Sequence, residues 1–373
     1  MSSPTGWTRR RFLEVMGIAT ASLGATMPTA KTLNPATLAR KGNRPFETHP
    51  GLDTSPGVLV ARDGTRLRTI TTRPAGLTKP MPAILFVQWL SDSSIELPSH
   101  AEDGWSRMIR RVVRESGMVV MRTDKRGVGD SEGGPCSKLD YLTELSDHRD
   151  AFDHLAKSEF VDPKRIIVFG ASMGGNFAPL VALDRKVAGV IVWGGGARTW
   201  FERTLAFERN RRELSAGSTE TINREMREVS AFLHAYLIED KAPAQIAREN
   251  PALGAAWKQL TGTEGETHYG RPLAFHQQAQ KQDWTGAWAK LDAPALVLFG
   301  EYDWFEDAGG HALIERIVRR KHPEHTRFRI VPQTDHHFTR FARPEDAVSE
   351  TGGTTNEGPA VEEILTWLRE VLA

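Results

Sequence analysis

The sequence predicts an α/β protein with a mainly parallel central sheet covered by helices on both faces. Three observations support this fold class. Short apolar runs, typical of buried strands, alternate with helix-like runs along most of the chain. One strand-like run, residues 165–169, leads through the turn Gly170-Ala171-Ser172-Met173-Gly174 directly into a helix-like run at residues 175–183. Two later apolar runs are each followed by acidic or histidine residues in a predicted loop.

The predicted elements alternate at the spacing of βαβ units, after an initial hairpin indicated by Asp63-Gly64. The predicted strands are residues 57–61, 67–72, 83–89, 118–121, 165–169, 187–193, 294–299 and 328–331, and the predicted helices are residues 105–115, 175–183, 310–320 and 361–372. These elements form a core in two parts, residues 57–196 and residues 287–373.

Between the two parts of the core, residues 197–286 show no convincing strand and have a polar, helical pattern. We expect a helical cap over the carboxyl edge of the sheet, where open α/β folds place their active sites. The alternative is a separate helical domain with its own partner. Residues 31–56 contain four prolines and no periodicity, which indicates a linker or a surface strap.

The composition is that of an ordinary soluble globular protein. Of 373 residues, 39% are hydrophobic and 25% are charged. The formal net charge of +1 provides no electrostatic basis for binding nucleic acid or an anionic membrane. The single cysteine, Cys136, excludes an intrachain disulfide and a cysteine-based metal site. No phosphate-cradling or dinucleotide motif is visible, so we expect no cofactor.

Residues 1–30 have the pattern of an export signal. Thr8-Arg9-Arg10-Arg11-Phe12-Leu13-Glu14 resembles the twin-arginine signal, and the apolar segment after it, residues 15–27, is too short to span a bilayer stably. The alternative is a basic amphipathic helix. Cleavage after Ala30 would leave a soluble product without a stable membrane anchor. We therefore expect a bacterial protein carried by the twin-arginine machinery to the periplasm or the exterior.

The turn Gly170-Ala171-Ser172-Met173-Gly174 has the strand–turn–helix context of a nucleophile elbow. A turn this tight requires small neighbours, which places a glycine two residues to either side of Ser172. The N–H of Met173 would lie at a helix N-terminus and could bind a developing oxyanion. The alternative is an ordinary strand-to-helix turn, because the pentapeptide alone is a weak motif.

A serine hydroxyl needs a base that takes its proton and an acid that orients the base. Asp303 follows one apolar run in Gly300-Glu301-Tyr302-Asp303, and a histidine pair follows the next in Thr334-Asp335-His336-His337-Phe338. Serine, acid and histidine therefore stand at three strand ends in the chain order that this chemistry uses on α/β sheets.

These motifs resemble those of the α/β-hydrolases over residues 57–372, in the branch of acyl-esterases and X-Pro-peptidase-like and serine-aminopeptidase-like enzymes. A further run, Asp124-Lys125-Arg126-Gly127-Val128-Gly129-Asp130-Ser131-Glu132-Gly133, is similar to the D-x-R-G-x-G-x-S-x-G loop of that branch. We expect this run to be structural, since its glycines allow a sharp turn beside the active site.

The resemblance implies a role for each residue. Ser172 would attack an acyl carbonyl, His336 would transfer the proton, and Asp303 would orient the imidazole. The oxyanion donors would be the N–H groups of Met173 and Leu90.

The chain departs from the family's pattern before the second oxyanion donor, and it offers two adjacent histidines as the base. The family has His-Gly or Gln-Gly before the second oxyanion donor, whereas this chain has Gln88-Trp89, and we expect Trp89 to alter the local backbone and narrow the acyl pocket. The D-H-x-F spacing favours His336 over His337. A metal site formed by Asp335 and the two histidines is disfavoured, because adjacent histidines on a loop seldom point at one ion.

The leading hypothesis is an exported serine hydrolase that cleaves a small-molecule carboxylic ester through an acyl-enzyme. An amidase or aminopeptidase on the same fold is the alternative, and it would need an acidic residue in the cap, such as Glu208, Glu225 or Glu228, to bind a substrate amine. The third hypothesis is a non-catalytic binding protein on this scaffold. Serine rather than aspartate at the elbow argues against hydrolytic dehalogenation. The sequence does not determine the oligomeric state.

Overall fold

The computed structural model describes residues 38–41, 46–98, 100–215, 217–261 and 267–373. The export signal predicted at residues 1–30 lies outside this range. Within it, no helix combines the length and the apolar character that crossing a membrane requires.

An eight-stranded sheet forms the centre of the molecule. Its strands are β1 (Leu52–Val60), β2 (Arg66–Pro74), β3 (Met81–Val87), β4 (Val119–Thr123), β5 (Val161–Ala171), β6 (Gly189–Trp193), β7 (Ala295–Gly300) and β8 (Arg327–Val331). The spatial order is β1-β2-β4-β3-β5-β6-β7-β8. The pairs β1–β2 and β2–β4 are antiparallel, and every later pair is parallel. The mainly parallel sheet predicted from the sequence is therefore confirmed, and Asp63-Gly64 does close the first hairpin.

Helices cover both faces of the sheet. The helices are α1 (Gly104–Glu115), α2 (Tyr141–Ala156), α3 (Met173–Ala182), α4 (Trp200–Leu214), α5 (Thr219–Leu233), α6 (Pro243–Glu249), α7 (Pro251–Thr261), α8 (Leu273–Gln280), α9 (Trp284–Lys290), α10 (Ala308–Val318), α11 (Pro344–Ser349) and α12 (Gly358–Val371). Side chains of α1 and α12 pack on one face, and those of α2, α3 and α10 pack on the other. Successive residues of β3 alternate between these two cores, as the pleat of a strand requires.

We use the term cap for the described residues between β6 and β7. They form helices α4 to α9 and a small hairpin that pairs Thr267–His268 with Arg271–Pro272. The hairpin is a correction to the expectation that residues 197–286 contain no strand. Its strands are two residues long, too short to show an alternating pattern in the sequence.

The structure differs from the sequence prediction at four further elements. Helix α2 and the short helix α11 were not predicted. β1 begins at Leu52, five residues earlier than expected, and β3 ends at Val87, so Trp89 belongs to the following loop. In the sequence Trp89 extends the apolar run past Gln88, but in the structure the chain leaves the sheet after Val87.

The segment before β1 packs into the core. Glu47 is buried against Arg122 of β4 and accepts a hydrogen bond of 2.6 Å from the N–H of Leu97. Burial raises the pKa of Glu47, but the charge and hydrogen bonds of Arg122 and its other donors outweigh it and lower the pKa to about 2. The carboxylate is therefore ionised at neutral pH and fixes residues 46–49 to the central sheet.

Candidate active site

Ser172 lies in the one-residue turn between β5 and α3. Its φ of +54° and ψ of −122° are strongly disfavoured for a residue with a side chain. Two backbone hydrogen bonds hold the turn in this conformation: the Ser172 N–H donates to the carbonyl of Trp193 over 2.7 Å, and the Gly175 N–H donates to the carbonyl of Ser172 over 2.8 Å. The serine hydroxyl is thereby raised above the carboxyl end of the sheet.

The glycines on either side of the serine are sterically required. A Cβ on Gly170 would overlap the carbonyl oxygen of Gly174, and a Cβ on Gly174 would overlap the carbonyl oxygen of Val87 in β3. The G-x-S-x-G spacing is therefore explained by close backbone contacts within the elbow and between the elbow and the neighbouring strand.

Three residues that are distant in sequence form one hydrogen-bonded chain. His336 Nε2 lies 2.9 Å from Ser172 Oγ, and His336 Nδ1 lies 2.7 Å from Asp303 Oδ2. Asp303 follows β7 and His336 follows β8, so parallel strands bring both side chains to the sheet edge that holds the elbow. The exposed fractions of Ser172, Asp303 and His336 are 8%, 4% and 5%.

The carboxyl group of Asp303 is fixed and ionised. Its Oδ1 accepts a hydrogen bond of 3.0 Å from the N–H of Phe305, which leaves Oδ2 for the imidazole. Burial raises the pKa of Asp303, but the charge of His336 and the hydrogen bond to it more than compensate and hold the pKa below its usual value. A carboxylate of this kind favours the tautomer with a proton on Nδ1, which leaves Nε2 free to accept from the serine hydroxyl.

The structure brings His336, and not His337, to the serine. Gly194, with a φ of +65°, lies so close to the His336 ring that a Cβ there would approach Cε1 to 2.6 Å. Trp193 Nε1 donates to the carbonyl of His336 over 3.0 Å. The ring of His337 instead lies beside Asp335, with its Nδ1 3.6 Å from Oδ2, and Asp335 Oδ1 accepts the N–H of His337 over 2.9 Å.

The two residues predicted to supply oxyanion donors border the same small cavity. This enclosed cavity has a volume of about 30 Å³, and Leu90, Met173 and Ser172 line it together. Met173 is the first residue of α3, where backbone N–H groups have no partner within the helix. Leu90 lies in the loop after β3.

Trp89 does not border the enclosed cavity. Its indole Nε1 donates to Ser93 Oγ over 2.6 Å, and its ring packs at 5.2 Å from that of Trp105. Both indoles line an open cavity of about 620 Å³ that Ser172 also borders. The tryptophan that replaces the family's glycine therefore shapes the open cavity.

An ion pair in the enclosed cavity was not predicted from the sequence. Arg203 Nε, from α4 of the cap, donates to Glu306 Oε1 over 2.8 Å, and the guanidinium carbon lies 4.6 Å from the centroid of the Trp200 ring. Burial raises the pKa of Glu306 to about 8 against the opposing effect of Arg203. No local motif marks this pair, because its members are about a hundred residues apart.

The acidic cap residues named as candidates for amine binding lie elsewhere. Glu208 is paired with Arg211 and Arg212, and Glu225 accepts a hydrogen bond of 2.9 Å from Arg212. Neither they nor Glu228 line the cavities at Ser172.

Most of the run from Asp124 to Gly133 has structural contacts. Asp124 accepts hydrogen bonds from Arg68 Nε over 2.6 Å and from the N–H of Ile95 over 2.9 Å. Gly129, with a φ of +53°, leaves no room for a Cβ beside Asp124 and Arg68. The run joins β2, β4 and the loop after β3.

Curated relatives match short segments of the chain. The quorum-quenching protein AidA of Acinetobacter baumannii is 33% identical over 99 residues, which are 25% of this chain and 32% of that protein. The polyketide transferase claH of Penicillium crustosum is 36% identical over 81 residues, 21% of this chain and 26% of that protein. A multifunctional-autoprocessing repeats-in-toxin protein of Vibrio cholerae is 37% identical over 70 residues, 19% of this chain and 1% of the toxin. The matches thus span about a third or less of each relative.

Solved structures resemble the whole core. DcsB, in complex with its substrate analogue, superposes with a TM-score of 0.51 at 16% identity and covers 85% of this chain and 99% of its own. GrgF from Penicillium sp. sh18 superposes with a TM-score of 0.50 at 18% identity and covers 85% of this chain and 98% of its own. At these identities the likeness shows the fold alone. The model of the alpha/beta hydrolase family matches residues 97–351, more than half of the sequence, and the chain belongs to that family.

Proposed function

We propose that the protein is a serine hydrolase that cleaves carboxylic esters of small molecules through an acyl-enzyme. One observation supports this most strongly: an unbroken hydrogen-bonded chain runs from the buried carboxylate of Asp303 through His336 to the hydroxyl of Ser172 at the elbow. In this arrangement a base accepts the serine proton while an ionised acid compensates the charge that develops on the base.

The proposed reaction has two halves. Ser172 Oγ attacks the ester carbonyl as its proton passes to His336 Nε2, and the imidazolium is stabilised by Asp303. The carbonyl oxygen gains negative charge, which the N–H groups of Met173 and Leu90 would stabilise. His336 then donates the proton to the departing alcohol. In the second half His336 takes a proton from water as the water oxygen attacks the acyl carbonyl. The bond between the acyl carbon and Ser172 Oγ then breaks, His336 returns the proton to Oγ, and the acid departs.

An amidase or aminopeptidase is the second candidate. It is favoured by Glu306, whose carboxyl group borders the enclosed cavity and could face a substrate amine. Two facts weigh against it: Arg203 already pairs with this carboxyl group, and burial raises its pKa to about 8, so much of it is uncharged at neutral pH. A neutral or paired carboxyl group binds an ammonium weakly.

The experiment compares residues 31–373 of the wild type with Ser172→Ala on p-nitrophenyl acetate, butyrate and octanoate and on aminoacyl p-nitroanilides. We expect ester turnover that disappears in the variant. Serine-dependent cleavage of anilides alone would favour the second candidate. If the folded wild type cleaves neither class and does not react with a fluorophosphonate, the hydrolase proposal is wrong and a binding protein remains.

We also propose that the protein is exported to the periplasm or the exterior by the twin-arginine machinery. The support is the paired Arg9-Arg10 followed by Phe12-Leu13 and a weakly apolar segment. A reporter fused after residue 35 should leave the bacterial cytoplasm. The same fusion with both Arg9→Lys and Arg10→Lys should stay in the cytoplasm. Unimpaired export of the double variant would contradict the proposal.

A further inference from the structure

Lys125 is a buried basic residue in the run from Asp124 to Gly133, most of which has structural contacts. It directly follows Asp124 at the end of β4, and only 3% of its surface is exposed. Its ammonium group donates to the carbonyl oxygen of Trp89 and, over 2.7 Å, to the carbonyl oxygen of Ser91. These carbonyls belong to the residues on either side of Leu90.

The contact to Trp89 determines how the Leu90 peptide is oriented. The carbonyl of Trp89 and the N–H of Leu90 belong to one planar peptide unit, and in a trans peptide they point to opposite sides. An ammonium that holds the carbonyl therefore directs the N–H away from itself. The same contact polarises the peptide unit, which strengthens the N–H as a donor.

This explains how the loop functions without the glycine of the family. A glycine before the donor residue allows the backbone many conformations, whereas Trp89 restricts it. The indole of Trp89 is itself held through Ser93, and the carbonyls on both sides of Leu90 are held by Lys125. A contact within the loop, from Trp89 to Ser93, and the two contacts from Lys125 thus restrict a backbone that glycine would leave free.

Keeping a charge at this position has an energetic cost. Burial and, after it, the nearby charge of Arg271 lower the pKa of Lys125 to about 7. Glu144 of α2, whose Oε1 lies 3.7 Å from the ammonium, offers partial compensation. A leucine or methionine would fill the same space without this penalty, so the charge is retained at a cost in stability.

We propose that Lys125 is a positioning residue that orients the Leu90 N–H as the second oxyanion donor. The proposal rests on the hydrolase function proposed above. It assigns Lys125 no contact with substrate. Its effect should appear in the transition state, where the oxyanion forms, and not in the binding of the ground-state ester.

The test compares wild type with Lys125→Met, Lys125→Arg and a control, Arg122→Met. Arg122 is an equally buried cation on β4 that pairs with Glu47 and donates to the carbonyl of Ile95, away from Leu90. We expect Lys125→Met to lower kcat on the best p-nitrophenyl ester by about 10- to 100-fold, with KM changed by less than about threefold. The rate of Ser172 phosphonylation should fall by the same factor, and Lys125→Arg should recover part of the loss.

The control separates this effect from lost stability. Arg122→Met should lower the melting temperature yet leave kcat per folded molecule within about twofold, as unfolding midpoints and fluorophosphonate titration would show. If Lys125→Met loses activity only in proportion to its folded fraction, or raises KM at constant kcat, the proposal is wrong.

Crystal structures of wild type and Lys125→Met decide the inference independently of turnover. We expect the peptide between Trp89 and Leu90 to rotate or to lose its single orientation in the variant. An unchanged peptide would overturn the inference even if kcat falls in Lys125→Met. Absence of any serine-dependent reaction in the wild type would refute the hydrolase function, whereas a rotated peptide would still support the role of Lys125 in orienting it.

Discussion

Replacing His336 by alanine is expected to lower kcat on esters by about 10⁴- to 10⁶-fold. In the proposed reaction the imidazole accepts the serine proton, and its Nε2 lies 2.9 Å from Ser172 Oγ while its Nδ1 lies 2.7 Å from Asp303 Oδ2. Without it, Ser172 retains its place at the elbow but has no base, and the hydroxyl at its ordinary pKa is a poor nucleophile. The measurement is single-turnover and steady-state kinetics on protein that is shown to be folded by near-ultraviolet circular dichroism.

His337→Ala is the matched control, because the same side chain is removed from the next residue. His337 touches Asp335 and borders both cavities but does not reach the serine, so we expect a loss of less than about tenfold. Comparable losses in the two variants, or a larger loss at His337, would show that the base has been assigned to the wrong histidine.

Gly174→Ala is expected to destabilise the fold by roughly 3 kcal/mol, the upper end of the usual cost of an overpacked core. The added Cβ would overlap the carbonyl of Val87 and approach that of Gln88. Both are backbone atoms at the end of β3, which lies between β4 and β5 in the middle of the sheet and cannot retreat. The Gly174→Ala protein that still folds should also lose activity, because the overlap with the end of β3 would displace the elbow.

Gly358→Ala provides the comparison. Gly358 lies at the start of α12, and a Cβ there would lie at an ordinary contact distance of 3.6 Å from Arg111 Nη1. We expect a cost of less than about 1 kcal/mol, because alanine is a better helix former than glycine but a Cβ before Pro359 disfavours the helical conformation. Urea unfolding of the three proteins measures both effects, and a cost at Gly174 no larger than at Gly358 would contradict the steric argument.

The parts of the fold that the sequence predicts are those with strong local patterns. Strands buried on both faces appear as continuous apolar runs, and β3, β6 and β7 were recognised in this way. Ser172, Asp303 and His336 follow from order and position, since each stands where a strand ends.

Helix α2 could not be recognised from such a pattern. Its inner face includes Glu144, Asp147 and His148 at helical spacing, so the apolar stripe that marks an amphipathic helix is interrupted by charge. These residues are buried because their partners come from elsewhere: Asp147 pairs with Arg126, and Glu144 with Lys125 and Arg271. Ion pairs between residues that are distant in sequence produce no periodic pattern in the sequence. The pair of Arg203 and Glu306 could not be predicted for the same reason.

Arg271 links the cap to the rest of the molecule. It lies in the cap hairpin with only 1% of its surface exposed, forms an ion pair with Glu144 of α2, and donates to the carbonyl of Cys136 over 3.2 Å. Lifting the cap would leave a buried carboxylate without this partner, which is costly in a region of low dielectric constant. We therefore expect the cap to stay fixed over the core, so that substrate would enter and product would leave through the open cavity beside Trp105. We expect the cap and the core to unfold as one cooperative unit.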